Sequence, residues 1–343
     1  MRDHGALKVW LAEKVNQPNL DLHPLPGDAS FRGYYRFQVD GIYYLAMDAS
    51  KEKESVKAFV GVAKVFAEKG VPVPQIFAYD DVQGFVLLAD FGDELLLNHL
   101  SADNVHHWYA QALQILKPLA RKTETSTYRF PLFDENRILR ELNTFHEWCL
   151  DKLLGLEVTH SIAKLLNETY AALVQSALSQ PQVMVHLDYH SRNLMIQRET
   201  GHLGVIDFQD AVIGPITYDL VSLTKDCYIT WPENWVSQWV GSFYYQSIDE
   251  QIISKEQVSL EQFNQWYAWM GLQRHLKVLG VFSRLKLRDG KSGYIKDMPR
   301  VLRYILGVTG SEPTLKSFHH FIESDIQPRL ERYWSQQGIE IAA

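Results

Sequence analysis

At 343 residues the chain has the length of about two domains on the usual ~150-residue scale. Apolar residues make up 46% and charged residues 22%, the balance of an ordinary globular protein rather than a disordered one. A formal net charge of -7 argues against a general electrostatic grip on nucleic acid or on an anionic membrane.

The opening run MRDHGALKVWLAEKVNQ reads as an amphipathic helix with no apolar h-region or cleavage site. No stretch of the sequence reaches the ~18–20 apolar residues of a membrane span. Cys149 and Cys227 are far apart and in no metal-ligand spacing, so a disulfide framework is not expected and a reducing compartment is the simplest home. The chain therefore reads as cytoplasmic.

Residues 1–89 are strand-rich. After the turn-forming PLPGDAS, SFRGYYRFQVD and GIYYLAMDA are β-branched and aromatic runs joined by Asp40-Gly41, a strong hairpin signal. In KEKESVKAFVGVAKVFAEKG, Phe59, Val62, Ala63 and Phe66 recur at helical spacing, with Gly70 at the C-cap. VPVPQIFAYDD and GFVLLADFGD read as two further strands, Pro72 and Pro74 being confined to an edge or entry. From residue 94 the pattern turns helical, with periodic segments at 104–122, 135–155 and 159–179. A strand pair and a long helical remainder follow.

The stretch VMVHLDYHSRNLMI, residues 183–196, places polar and ionisable groups between two core-forming runs. Burying them unpaired would cost roughly 2–7 kcal/mol for each neutral group and more for a charge. The spacing His186-x-Asp188-x4-Asn193, with Asp207-Phe208-Gln209 fourteen residues beyond Asn193, is the layout of kinase-like phosphoryl transfer. An Asp must meet the acceptor hydroxyl and take its proton. An Asn and a second Asp supply oxygen to magnesium, a hard cation. The intervening QRETGHL fits a hairpin that brings Asn193 and Asp207 together.

The pattern VHLDYHSRN…GVIDFQDAVIGPITYDL resembles the aminoglycoside phosphotransferase family of protein-kinase-like small-molecule kinases, across almost the whole chain. DASFRGYYRF, GVPVPQIFAYD, GFVLLADFGD and GLQRHLKVLGVFSRL are more similar still to the bacterial subgroup of kinases that phosphorylate N-acetylmuramate and N-acetylglucosamine at the anomeric C1 hydroxyl in cell-wall sugar recycling. The resemblance implies an α+β, two-lobed protein-kinase-like fold. Its N-lobe (1–89) holds an antiparallel sheet plus a helix, its hinge is at 90–93, and its mostly helical C-lobe (94–343) carries catalysis and the acceptor. It implies ATP and Mg2+ as cofactors and a small amino sugar as partner. Asp188 would be the catalytic base, and Asn193 and Asp207 the metal ligands. His186 would brace the loop and Asp219 would tie it to the following helix, although Asp219 as a plain helix N-terminal acid is an equal alternative. Ser30, Phe31 and Arg32 fall where the family covers phosphates, and Leu88, Ala89 and Asp90 where it holds adenine through backbone groups.

The sequence departs from the wider family on its third strand. YYLAMDA has no lysine where most relatives hold the phosphates, and Met47 or a neighbour occupies that place. Arg32 or Arg36 is the expected replacement, since arginine binds phosphate bidentately, while Lys51 and Lys53 are expected in solvent. Arg274, Lys277, Arg284 and Arg288 return to nearly one helix face. A solvated basic stripe is the slightly favoured reading, and the alternative turns Arg274 and His275 toward an acidic sugar. His190 is expected to line the acceptor site, with no firmer role. WPENWVSQWV and QWYAWM are expected to be core. Two other readings stay open: a kinase of another small alcohol (an aminoglycoside, a choline-like alcohol or homoserine), and a non-catalytic nucleotide-binding scaffold motivated by the absent lysine.

Overall fold

The computed structural model describes residues 5–26, 32–121 and 128–339. Their contacts divide the chain into two compact units: residues 1–119, 123–130 and 191–211, and residues 120–122, 131–190 and 212–343. The chain passes from the second unit to the first between His190 and Ser191, inside the loop that carries the kinase-like spacing.

Among the described residues the first unit is built on a five-stranded antiparallel sheet. Its strands are β1 (His23–Pro24), β2 (Gly33–Val39), β3 (Ile42–Asp48), β4 (Ile76–Asp80) and β5 (Phe85–Ala89), in spatial order β1-β2-β3-β5-β4. The β2–β3 hairpin pairs Val39 with Ile42 across Asp40 and Gly41. Both turn residues have positive φ, 49° and 84°, the geometry that a two-residue turn between right-twisted strands requires. Helix α1 (Gly5–Val15) buries Leu7, Trp10 and Leu11 in a cluster with Tyr35, Phe37, Phe85 and Leu87 of the sheet. Helix α2 (Glu54–Glu68) buries Val56, Phe59, Val60, Val62, Ala63, Val65 and Phe66, and Gly70 follows it with φ 81°.

A second hairpin, β7 (Leu194–Ile196) with β8 (Leu203–Val205), belongs to the same unit. It is tied to residues of the β5 exit and the β4 entry: Ile196 N–H donates to the Glu94 carbonyl (2.8 Å), Arg198 N–H to that of Phe91 (3.0 Å) and Val205 N–H to that of Pro72 (2.8 Å).

The second unit is mostly helical. It contains α4 (Glu135–Thr144), α5 (His160–Leu178), α6 (Tyr218–Thr224), α7 (Glu233–Asp249), α8 (Leu260–Leu287), α9 (Met298–Ser311), α10 (Lys316–Phe321) and α11 (Gln327–Gln336), while α3 (Val105–Ala120) lies almost wholly in the first unit. Its strands β6 (Gln182–Val185) and β9 (Val212–Pro215) pair antiparallel, Val185 opposite Val212. The 28-residue α8 spans ~42 Å at 1.5 Å per residue. It starts at Ser259, whose hydroxyl accepts the Gln262 N–H, and it buries residues along most of its length.

The segment expected as one helix over 135–155 is α-helical only to Thr144 and π-helical over Phe145–Leu153. At that change of helix type the chain crosses α8 closely. A Cβ on Gly280 of α8 would lie 2.3 Å from the Thr144 carbonyl carbon, so a side chain there would collide with backbone, and Thr144 Oγ1 is 3.4 Å from the Lys277 carbonyl. Trp239 and Trp266 are buried, and Trp231, Trp235 and Trp239 pack on one another with centroids 6.1–6.5 Å apart. Both cysteines are buried and free. Among the described residues no helix is long and apolar enough to cross a membrane.

Candidate active site

In the second unit, β6 ends at Val185 and the chain turns sharply at Leu187, whose φ is 78°. For a branched apolar residue that conformation costs of order 1–3 kcal/mol and persists only when its surroundings impose it. Asp219, in the first turn of α6, imposes it: its carboxylate accepts the backbone N–H groups of His186 (2.6 Å) and Leu187 (3.0 Å). Burial pushes the Asp219 carboxyl up to about 6, against the opposing pull of His186 and of the two N–H donors. Asp219 thus does more than face a helix dipole; it ties the loop to α6. His186 is fully buried, accepts the Asp188 N–H on Nδ1 (3.3 Å) and meets the Tyr189 ring edge-on at 5.8 Å.

Asp188 follows. Burial would raise its pKa, but Lys277, His190, Arg274 and His186 outweigh that effect and hold the carboxyl below its usual value. The two cations come from α8. Arg274 is 3% exposed, and among the described residues its hydrogen-bond acceptor is the Cys227 sulfur, 3.4 Å away. Lys277 Nζ lies 3.1 Å from both Tyr218 Oη and Glu141 Oε1, and Gln273 donates to the other Glu141 oxygen at 3.0 Å. The basic stripe of α8 is therefore not a solvated face as a whole. Its first turns are buried around Asp188, and Arg288, 57% exposed and paired with Asp289, is the solvated end. Helical periodicity finds such a face but carries no sign of which part of it is covered.

His190 donates its backbone N–H to the Asp188 carbonyl (3.0 Å) and packs edge-on against Tyr228 at 5.3 Å. Burial lowers its pKa, with Asp226 and Asp188 pulling the other way, and its Nδ1 is buried without a hydrogen-bond partner among the described residues. His275 does not accompany Arg274. Neighbours on a helix point ~100° apart, and the His275 ring turns to the Lys225 carbonyl (3.0 Å) and stacks on Tyr304 at 4.8 Å.

In the first unit, the β7–β8 hairpin returns the chain so that Ile206 N–H donates to the Asn193 carbonyl (3.0 Å). Asn193 Nδ2 then lies 3.5 Å from Asp207 Oδ2. Gln209 Nε2 holds the other Asp207 oxygen at 2.8 Å, and Asp207 itself has φ 63°, again a strained non-glycine position. The anchor is Phe208, 1% exposed, whose ring packs on Phe59 (4.9 Å) and Phe66 (6.1 Å) of α2. Burying a phenylalanine of this kind contributes about 1.5–3 kcal/mol. The pair offers a carboxylate and an amide oxygen, hard donors of the type Mg2+ takes.

Met47 is fully buried, and Lys51 and Lys53 are exposed. Arg36 is committed elsewhere: it holds Asp90 through Nε (2.5 Å) and Nη2 (3.0 Å), Asp93 at 2.8 Å and the Gly92 carbonyl at 3.1 Å. Arg198 adds a second cation 3.5 Å from Asp93. The guanidinium expected to be available for phosphate thus fastens the turn at 90–93. The Asp90 side chain is spent on that clamp, with Oδ1 also accepting the Gly92 N–H (2.9 Å), while Leu88 and Ala89 close β5. Arg32 hydrogen-bonds Tyr34, whose hydroxyl is raised by burial and by Asp207, so Arg32 lies in the neighbourhood of the Asp207 carboxylate. Ser30 and Phe31 fall outside the described residues.

Sequence reasoning missed Glu141, Tyr218, Asp226 and Cys227. Each is a single polar residue in a helical or loop segment with no spacing of its own, so no sequence signal marks it.

A sheet-bearing N-terminal lobe, a mostly helical C-terminal lobe and this loop define a protein-kinase-like phosphotransferase. The chain belongs to the phosphotransferase enzyme family APH, whose model matches residues 21–249. It is 37% identical to the N-acetylmuramate/N-acetylglucosamine kinase of Pseudomonas putida over 92% of this chain and 94% of that protein. It is 38% identical to the kinase of the same name from Neisseria meningitidis, over 88% and 90%. Among solved structures, the ADP-bound aminoglycoside phosphotransferase APH(2'')-Ib shares the fold, with a TM-score of 0.59, 14% identity, and coverage of 88% of this chain and 97% of that one.

Proposed function

We propose that this protein transfers the γ-phosphoryl group of ATP to the anomeric C1 hydroxyl of N-acetylmuramate or N-acetylglucosamine. The observation that carries the chemistry is Asp188, half-buried on the tied loop, where Lys277, His190 and Arg274 hold its carboxyl below the usual value. The sugar assignment is supported by relatives that match nearly end to end and bear that name.

In this reading residues 1–89 serve the nucleotide, 90–93 form the hinge and 94–343 carry catalysis and the acceptor. Asp188 accepts the sugar hydroxyl and takes its proton late in the transfer. An anomeric hydroxyl is more acidic than an ordinary alcohol, so a weakly basic carboxylate suffices, and positioning with electrostatics supplies most of the rate. His186 and Asp219 fix the loop geometry. His190 Nδ1 accepts a hydrogen bond from the sugar. The uncommitted N–H groups of Arg274 suit the lactyl carboxylate of N-acetylmuramate, since a guanidinium pairs with a carboxylate in a planar, two-bond geometry. Asn193 and Asp207 hold Mg2+, which when bound neutralises phosphate charge. Arg32, with Arg36 committed elsewhere, contacts phosphate oxygens in place of the absent lysine, and Leu88, Ala89 and Asp90 offer backbone groups to adenine.

Phosphorus NMR of the product from a panel of amino sugars, aminoglycosides and choline-like alcohols tests this reading. A sugar 1-phosphate from N-acetylmuramate or N-acetylglucosamine is the expected result. Transfer only to the other alcohols would overturn it, as would tight ATP binding with no transfer at all.

A further inference from the structure

The Lys277 ammonium acts on two carboxylates, Glu141 and Asp188. Glu141 belongs to α4, and neither the motif spacing nor the chemistry proposed above gives it a task. From α8, Gln273 Nε2 donates to Glu141 Oε2 at 3.0 Å and Lys277 Nζ lies 3.1 Å from Oε1. Residues at i and i+4 share a helix face, so α8 grips both oxygens from one side. Arg137, a turn earlier on α4, places its Nε 3.7 Å from Oε1. The Gln273 amide is turned to serve the carboxylate, which leaves its own Oε1 buried with no partner among the described residues. An ionised carboxylate only accepts, and each of these contacts presents it with a donor.

An ammonium carries three N–H donors. Glu141 takes one, and Tyr218 Oη, 3.1 Å away, accepts a second. Tyr218 is fully buried, and burial together with the Glu141 charge pushes its hydroxyl pKa up, so the hydroxyl stays neutral and able to accept. Among the described residues Glu141 is the carboxylate at ion-pair distance from Lys277. Asp188 feels the ammonium from further away, together with Arg274 of α8 and with His186 and His190 of its own loop. Tyr218 also stands next to Asp219 in the first turn of α6, the residue that holds the loop N–H groups.

Two carboxylates thus compete for one cation. Lysine carries its charge on a flexible four-carbon stem, so an ammonium released by Glu141 turns to the other carboxylate that acts on it, Asp188. An Asp188 oxygen closed by an N–H···O contact no longer accepts a hydrogen bond from the acceptor hydroxyl. We propose that Glu141 is a positioning residue for the transfer: acting through Lys277, with Tyr218 as the second hold, it keeps the ammonium off Asp188 and leaves that carboxylate open to the acceptor. The charge of Lys277 still reaches Asp188 through space, which favours the ionised form without occupying its oxygens. This role rests on the kinase reading above.

A double-mutant cycle read by steady-state kinetics with ATP and N-acetylglucosamine tests it. Glu141→Gln keeps the side-chain size, and its new amide can donate to the unpartnered Gln273 Oε1, so the fold is retained while the ammonium loses its carboxylate. Its kcat is expected to fall about tenfold with the KM for ATP unchanged. Adding Lys277→Gln removes the ammonium and should raise kcat at least about threefold above Glu141→Gln alone; a role for Glu141 in packing predicts a further loss instead. Tyr218→Phe, which releases the second hold, should lower kcat about threefold. Thermal unfolding checks that each variant is folded at the assay temperature. A wild-type kcat in Glu141→Gln overturns the proposal. So does a double variant no faster than Glu141→Gln, because Glu141 then acts by a route other than Lys277. Should the variants at position 141 fail to fold, Tyr218→Phe carries the test, and a wild-type kcat there overturns the hold on the ammonium. Failure of the kinase reading appears separately, as no ATP consumption by the wild type with any amino sugar.

Discussion

The two units hold their functional charges in opposite ways. In the first, Arg36 meets Asp90, Asp93 and the Gly92 carbonyl at a turn, and Asn193 and Asp207 are partly open to solvent, their geometry set by backbone strain and by the Phe208 anchor. In the second, Arg274 is buried, Asp188, Lys277 and Glu141 are half-buried, and Lys277 pairs with Glu141 while acting with Arg274 on Asp188. Open carboxylates leave room for a hydrated cation, whereas a covered carboxylate has its proton affinity set by protein charges instead of water. Removing one member should therefore be mainly a loss of function in the first unit, and a loss of both function and stability in the second.

The largest effect is expected at the reacting groups. Asp188→Asn and Asp207→Asn should each lower kcat by at least about 10^3-fold, in the range of losing a catalytic acid–base or charge-stabilising group. Thermal unfolding should stay cooperative in both. An Asp207→Asn enzyme with near-normal rate would remove the metal assignment. Next is Lys277→Met, which leaves the half-buried Glu141 with only the 3.7 Å contact to Arg137 as a cationic partner. Breaking a buried pair typically costs about 3–5 kcal/mol, measurable by urea unfolding. Adding Glu141→Gln should return at least half of that loss, and no recovery would mean that packing of the Lys277 stem, not its charge, matters.

Arg36→Lys comes third. It loses the two-bond grip on Asp90 and should cost about 1–3 kcal/mol of stability together with a raised KM for ATP. A KM for ATP equal to wild type would detach the 90–93 turn from nucleotide binding. The pH dependence follows from Asp219. Its native pKa, pushed up to about 6, lies above the ordinary carboxyl value near 3.9, so the native state binds this proton more readily than the unfolded chain. Acidification from pH 6 to pH 4 should therefore gain stability from this group, while kcat falls through about pH 6 as the loop loses an ionised acceptor. A kcat profile flat to pH 5 would sink that role. The smallest effect is expected at Lys51→Ala, where an exposed charge is removed and stability should move by no more than about 0.5 kcal/mol.

The β2–β3 hairpin, α2 with Gly70, the β7–β8 return and the Asp188, Asn193 and Asp207 spacing were all legible in the chain, because turn chemistry, helical periodicity and motif spacing are local properties. The 135–155 segment was legible as helical but not as π-helical from Phe145, nor was its close crossing with Gly280 of α8, because periodicity reports a helical face and not the backbone that packs against it. Arg36 and Arg32 were indistinguishable as phosphate-binding candidates in sequence. Their difference lies in Asp90 and Asp93, which only the folded sheet brings to Arg36.

The sequence by itself determined that this is a kinase-like α+β chain with the His186, Asp188, Asn193 and Asp207 pattern in one loop and one hairpin, since those residues are held at fixed short spacings. The tertiary structure alone decided which charges are buried together. Whether Arg274 faces solvent or Asp188, and whether His275 turns toward the catalytic loop or toward Lys225 and Tyr304, depends on how α8 is rotated against α6 and the 225–230 segment. That rotation is set by close packing such as the Gly280–Thr144 crossing, a property of surfaces distant in sequence and invisible in any one of them.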